Sequence, residues 1–208
     1  MNRDEAATSH SAAPTRLEPK SVYRRRQIIE AFAWCAGTKG LEQTTVADIA
    51  ETAGIQRTLV YHYFSDRQAL IDSLIEHIFR ELEYPEFPDL DTPLERLDAA
   101  LDFYFSNDYF ESHRHIIACW REITLLANRD DSMRSRLREV YDEGFLWFEQ
   151  LLMKAYPAAP RDSYVLVSYS FIALMDQTHE LFMQGLGEER TAHGRRAIAR
   201  IVETLKTA

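Results

Sequence analysis

The chain has 208 residues, 46% of them hydrophobic and 27% charged, and a formal net charge of -9. That balance describes a folded soluble chain of one large or two small domains and excludes disorder throughout. No run approaches the ~18 apolar residues of a membrane span, and the N-terminus "MNRDEAATSHSAAPTRLEPKS" carries charges where a signal peptide has its apolar core, so the expected address is the cytoplasm with no membrane partner.

The charge is unevenly placed: residues 1–67 hold 9 Lys+Arg and 8 Asp+Glu, whereas residues 68–208 hold 15 and 25. The acidity belongs to the C-terminal part, a distribution that suits a small nucleic-acid reader on an acidic body. In a cytosolic chain Cys35 and Cys119, both within apolar helical patterns, are expected as free buried thiols.

In chain order, residues 1–20 are polar and aperiodic and read as a disordered arm. A first helix is predicted over Val22–Ala36, with Ile28, Ile29, Phe32 and Cys35 at helical spacing and Gly37 and Gly40 ending it. Its start carries Arg24, Arg25 and Arg26, which fit either a solvated helix end or phosphate contact. Thr45 then caps a second helix, with Asp48 reaching back in a variant capping box, and Val46, Ile49, Ala50 and Ala53 form its apolar stripe. Gly54 breaks this helix, and helical spacing resumes at Thr58, Leu59 and Val60. Two short helices around so tight a turn cross steeply, as in a helix-turn-helix, whose second helix enters a major groove about 12 Å wide. In "SDRQ", Ser65 is the expected cap and Gln68 its partner, opening a long helix through Leu70, Leu74, Ile78 and Leu82.

The segments "TTVADIAETAGI" and "YHYF", followed by a basic residue and leucine, resemble the tetracycline-repressor-like (TetR) transcription regulators over roughly Tyr23–Leu74. The resemblance implies an all-α protein: a helix-turn-helix DNA-binding domain over 21–66 and a helical ligand-binding and dimerisation domain over 67–208. With the aromatic residues of the body, the expected function is a repressor released by a small hydrophobic or aromatic effector from a palindromic operator in duplex DNA, the alternatives being a ligand-independent or redox-responsive DNA-binding regulator, or an activator. The resemblance assigns Thr44 and Thr45 to phosphate, Val46 to a base, Arg57 and Thr58 to base edges, Tyr61 to base or backbone, and His62, Tyr63 and Arg67 to phosphates. An arginine at position 57 could fork onto O6 and N7 of a guanine, worth roughly 1–3 kcal/mol of discrimination. Gln56 stands where the family often has a capping serine, so either the first turn is held less firmly or Gln56 itself reaches the DNA, and Leu59 stands where a threonine hydroxyl often contacts phosphate. Val60, Ile49 and Phe64 share one face and are expected in the core.

The body is predicted as further helices from Pro93 to about Ser106, His113–Ala127, Ser132–Tyr156, Asp162–Gly185 and Glu188–Lys206, after the breaker stretch "YPEFPDLDTP". The helix from Asp162 has too wide an apolar surface for one exposed stripe, and the last adds Ala197, Ile198, Ile201, Val202 and Leu205; the TetR resemblance implies that this pair forms a homodimer through a four-helix interface, the alternative being burial within one subunit. Phe103, Trp120, Tyr141, Phe145 and Tyr169 are candidate walls of an effector cavity, though sequence does not divide cavity from core. Arg121, Glu122, Asp176 and His179 fall in apolar helices, so they either pair with one another or face that cavity. Arg121, Asp176 and His179 are the candidate ligand contacts. His113, His115 and Cys119 have zinc-like spacing but sit in an apolar helix, where core and surface roles are commoner. No phosphate loop, nucleophile elbow or HExxH is present, so neither enzyme activity nor cofactor nor metal is expected.

Overall fold

In a computed structural model of the chain, the described residues are 19–207 except 82, 83, 86 and 88. The expected arm lies almost wholly outside them, as does Leu82. Among the described residues there is no strand. The helices are α1 (Lys20–Lys39), α2 (Val46–Thr52), α3 (Arg57–Tyr63), α4 (Arg67–Glu81), α5 (Pro93–Tyr104), α6 (Asn107–Ser112), α7 (Arg114–Ala127), α8 (Asp131–Ala155), α9 (Arg161–Met183) and α10 (Glu188–Glu203), closed by a 3-10 turn over Thr204–Lys206.

Local chemistry accounts for most boundaries. Thr45 and Thr92 each form a full capping box, with Asp48 and Glu95, and Pro93 starts α5 where its missing N–H leaves no bond unmade. Gly54 takes a φ of 64°, the left-handed turn that lets α3 fold back on α2. The cap of α4 corrects the sequence reading. Asp66, not Ser65, accepts from the Ala69 amide at 2.8 Å; Ser65 bonds to Asp66, and Gln68 reaches forward to Asp72. A carboxylate is the stronger acceptor at a helix N-terminus, and that bond holds the Asp66 carboxyl below its ordinary range. The short helix α6 was not anticipated; Ser106 caps it through the Tyr109 amide.

Two apolar cores result. The first joins α1–α4 to α7 around Phe32, Ile49, Val60, Phe64, Leu74, Ile116 and Cys119. The second gathers α5, α6, α8, α9 and α10 around Phe110, Phe148, Phe171 and Ile198. Helix α7 belongs to both, since Ile117 sits in the second core, and the first core runs without a break across the domain boundary expected at 66/67.

Candidate DNA-binding surface and effector cavity

Helix α3 is anchored by Val60 and Phe64, both buried, and turns Arg57, Thr58, Tyr61 and His62 into solvent on the opposite face, Tyr61 being 61% exposed. Exposure to that degree sets this tyrosine apart from the core aromatics. Tyr63 is half-buried. Arg25 explains part of the arginine run: it donates to the Tyr63 carbonyl at 2.7 Å and lies over the Phe64 ring at 4.5 Å, which fixes the C-terminal end of α3 to α1. Gln27 likewise donates to the Ala53 carbonyl at the turn between α2 and α3.

The start of α2 differs from expectation. Thr44 is 1% exposed, and its amide and its hydroxyl both donate to the Gly40 carbonyl, so the groups assigned to phosphate are already committed inside the loop. Thr45 remains exposed as the cap. Its partner Asp48 also accepts from Lys39 at 2.5 Å, and Lys39 and Thr45 together hold that carboxyl well below its ordinary range. Val46 is half-buried against the first core rather than presented outward. Arg67 is exposed, yet its guanidinium forks back onto the carbonyls of Leu41 at 2.7 Å and Thr44 at 2.8 Å, bracing the α1–α2 loop from α4.

Within the body, a cavity of about 80 Å³ is lined by Tyr84, Tyr104, Tyr109, Ile117, Trp120, Val140, Tyr141, Gly144, Trp147, Phe171, Ile172, Met175, Asp176 and His179. Trp120, Tyr141, Asp176 and His179 were anticipated there; Phe103, Arg121, Phe145 and Tyr169 are elsewhere. Phe103 faces the groove between the body and α1–α4. Arg121 is exposed and pairs with Glu180 at 3.4 Å, because its side of α7 looks outward. Phe145 is half-buried against the second core, and Tyr169 is 65% exposed on the outer face of α9. Tyr84, Tyr104, Tyr109 and Trp147 complete the walls. Tyr84 stacks on Trp147 at 5.1 Å and reaches it across Gly144, where a Cβ would stand 3.5 Å from the Tyr84 hydroxyl.

The polar groups of the cavity are distinctive. Asp176 accepts from the Tyr141 hydroxyl at 3.0 Å, and burial raises its carboxyl above the ordinary range. Burial pushes the His179 imidazole down to about 3, so it is neutral, and its Nε2 is buried without a hydrogen-bond partner, as is the Tyr109 hydroxyl. Aromatic faces, a buried carboxyl and unfilled hydrogen-bonding atoms thus converge on one space. Among the described residues no cluster of three His, Cys, Asp or Glu could hold a metal. The zinc-like trio diverges: His113 stacks on Tyr109 at 4.3 Å, His115 lies beside Trp34 at 5.9 Å, and Cys119 is buried in the first core. No helix of the described residues is long and apolar enough to cross a membrane.

Residues 28–74 match the family model for "Bacterial regulatory proteins, tetR family". The chain is 33% identical over 118 residues to the HTH-type transcriptional regulator BetI of Brucella melitensis, a match spanning 55% of this chain and 59% of that relative. It is 27% identical over 156 residues to BetI of Agrobacterium fabrum, covering 74% of this chain and 73% of the relative. A solved TetR-family regulator from Rhodococcus superposes with a TM-score of 0.66 at 18% identity, over 88% of this chain and 98% of that one. A transcriptional regulator from Saccharomonospora viridis, solved in complex with choline, does so with a TM-score of 0.67 at 16% identity, over 88% and 96%. At such identities the likeness to solved structures is one of fold.

Proposed function

We propose that this chain, which belongs to the TetR family of bacterial regulatory proteins, is a cytoplasmic transcriptional repressor. It binds an inverted-repeat operator as a homodimer and is released by a small organic cation. The observation that carries the DNA-binding reading is the outward face of α3, with Arg57, Thr58, Tyr61 and His62 exposed on a helix whose back is fixed by Val60 and Phe64. One such helix reads too few base pairs for genomic specificity, so two half-sites about 34–36 Å apart are needed. An apolar stripe on α9, with Val165 48%, Leu166 67% and Tyr169 65% exposed, supports pairing through the last two helices.

The effector class follows from the cavity. At about 80 Å³ it is far below the roughly 300–1,000 Å³ of sites for drug-sized ligands, so a small molecule is favoured over a large aromatic one. Tyr84, Tyr104, Trp120, Tyr141 and Trp147 present π-surfaces around the Asp176 carboxyl, the arrangement that recognises quaternary ammonium groups. The unpartnered Tyr109 hydroxyl and His179 Nε2 offer hydrogen bonds to a polar end, and the fold relative crystallised with choline carries a ligand of this type. Oxidation is a poorer signal: burial raises the Cys119 thiol to about 12, suppressing the reactive thiolate. The test is selection of bound duplexes from a random pool, followed by titration of the selected operator complex with choline. Two-fold symmetric sites released by choline are expected. Asymmetric sites bound by a monomer would overturn the dimeric reading, and an operator complex indifferent to choline and to tetramethylammonium would overturn the effector class.

A further inference from the structure

Helix α7 presents different faces to the two halves of the molecule. Ile117 and Trp120 line the cavity, whereas His115, Ala118 and Glu122, at one-turn spacing, face the C-terminal end of α1. The approach there is close: a Cβ on Gly37 would stand 2.7 Å from the His115 carbonyl oxygen, and one on Gly40 would stand 3.2 Å from Glu122 Oε2. Gly40 has a φ of 92°, so this turn both requires glycine and leaves space for the carboxylate. That carboxylate accepts the Leu41 amide at 3.0 Å. The other side of the same residue is also held, since the Leu41 carbonyl accepts from Arg67 of α4, whose fork continues to the Thr44 carbonyl directly before the α2 cap. Leu41 is thus clamped between the body, through Glu122, and the connector helix, through Arg67, at the entrance to the DNA reader.

We propose that Glu122 is the positioning residue through which the state of the effector cavity reaches the DNA-reading helices, by making or releasing its bond to the Leu41 amide. This rests on the repressor reading above. Trp120 stands on the same rigid helix two residues away and also meets Phe79 of α4 at 5.9 Å. A ligand that displaces Trp120 moves the whole of α7 against α1, because a close-packed interface has little slack. On this proposal the Leu41 bond belongs to the arrangement that fits DNA, so an effector that binds better without it weakens operator binding, and the coupling is reciprocal.

The experiment compares Glu122→Gln, which keeps an acceptor oxygen, with Glu122→Leu, which keeps the approximate size and has none. Gly40→Ala disturbs the same bond from the other side without altering Glu122. Operator affinity, choline affinity without DNA, and hydrogen exchange of the Leu41 amide are measured on the full-length protein. Glu122→Leu and Gly40→Ala should lose about tenfold in operator affinity, the scale of a hydrogen bond to a charged group. Both should exchange Leu41 faster and bind choline severalfold more tightly, while Glu122→Gln stays close to wild type. A merely structural role would not tighten choline binding. Wild-type operator affinity and unchanged Leu41 exchange in Glu122→Leu would overturn the proposal, as would a loss shared equally by Glu122→Gln. If the wild type binds no operator, the repressor reading itself fails. If it binds operator but ignores choline, the effector class fails, and the operator affinities and Leu41 exchange of the variants still decide the role of Glu122.

Discussion

Replacing Asp176 by asparagine tests the cation reading most directly, because the amide keeps an acceptor for the Tyr141 hydroxyl and removes only the charge. A cation seated against the aromatic walls would lie about 4–5 Å from this carboxylate, where two unit charges at an effective dielectric constant of about 20 attract by roughly 4 kcal/mol. Desolvation of both groups offsets part of that, leaving about 1–3 kcal/mol, or a loss of roughly ten- to a hundredfold in choline affinity for Asp176→Asn. The pH dependence has a definite sign. Burial raises the Asp176 carboxyl in the folded protein, so the empty cavity favours the protonated form and a bound cation favours the ionised one. Choline affinity of the wild type should therefore rise as pH climbs through the raised value and then level off, whereas Asp176→Asn should show no such rise. The same shift bears on stability: the fold loses stability as pH rises from the ordinary carboxylate range through the raised value, so at neutral pH the variant should be at least as stable as the wild type. Isothermal titration with choline and with its uncharged isostere 3,3-dimethyl-1-butanol, across a pH series, measures all of this. Equal affinity of Asp176→Asn and wild type for choline, or equal affinity of the wild type for choline and the neutral isostere, would refute the reasoning.

Arg57→Ala should relax preference at one base pair of each half-site at a cost of about 1–3 kcal/mol, read by repeating the site selection. Arg67→Ala should instead weaken all duplexes alike and also lower the melting temperature, since its fork braces the carbonyls of Leu41 and Thr44; a preference change without loss of stability would contradict that role. Thr45→Ala, which removes the α2 cap, should destabilise the protein by about 1 kcal/mol in denaturant unfolding, whereas Thr44→Val, at a buried hydroxyl bonded to Gly40, should act on stability and leave the salt dependence of DNA binding unchanged. Leu166→Asp, placed in the exposed stripe of α9, should shift sedimentation to the monomer and remove high-affinity operator binding; a dimer that persists would move the interface elsewhere.

Parts whose partners lie close along the chain are legible in the sequence. Capping boxes at Thr45 and Thr92, the break at Gly54 and three-to-four spacing of apolar residues mark helix ends and inner faces through bonds spanning only a few residues. The outward face of α3 was legible for the same reason: once Val60 and Phe64 point inward, helical geometry turns Arg57, Tyr61 and His62 outward. What the tertiary structure alone decided are the relations between distant segments. Arg67 looked like a free phosphate ligand because its partners are backbone carbonyls, which every residue has and no sequence pattern marks. Thr44 and Thr45 are adjacent and chemically alike, yet the loop buries one and exposes the other. In the body, aromatics occur on nearly every helix, so periodicity separates inside from outside without saying which inner faces meet. Tyr84, Tyr104, Trp147 and Asp176 come from four separate parts of the chain and become one site only when the segment after α4 and helices α5, α8 and α9 pack together. Glu122 has the same origin: a charge in an apolar helix announces that it has a partner, but the Leu41 amide, 81 residues away, is chosen by the crossing of α7 on α1.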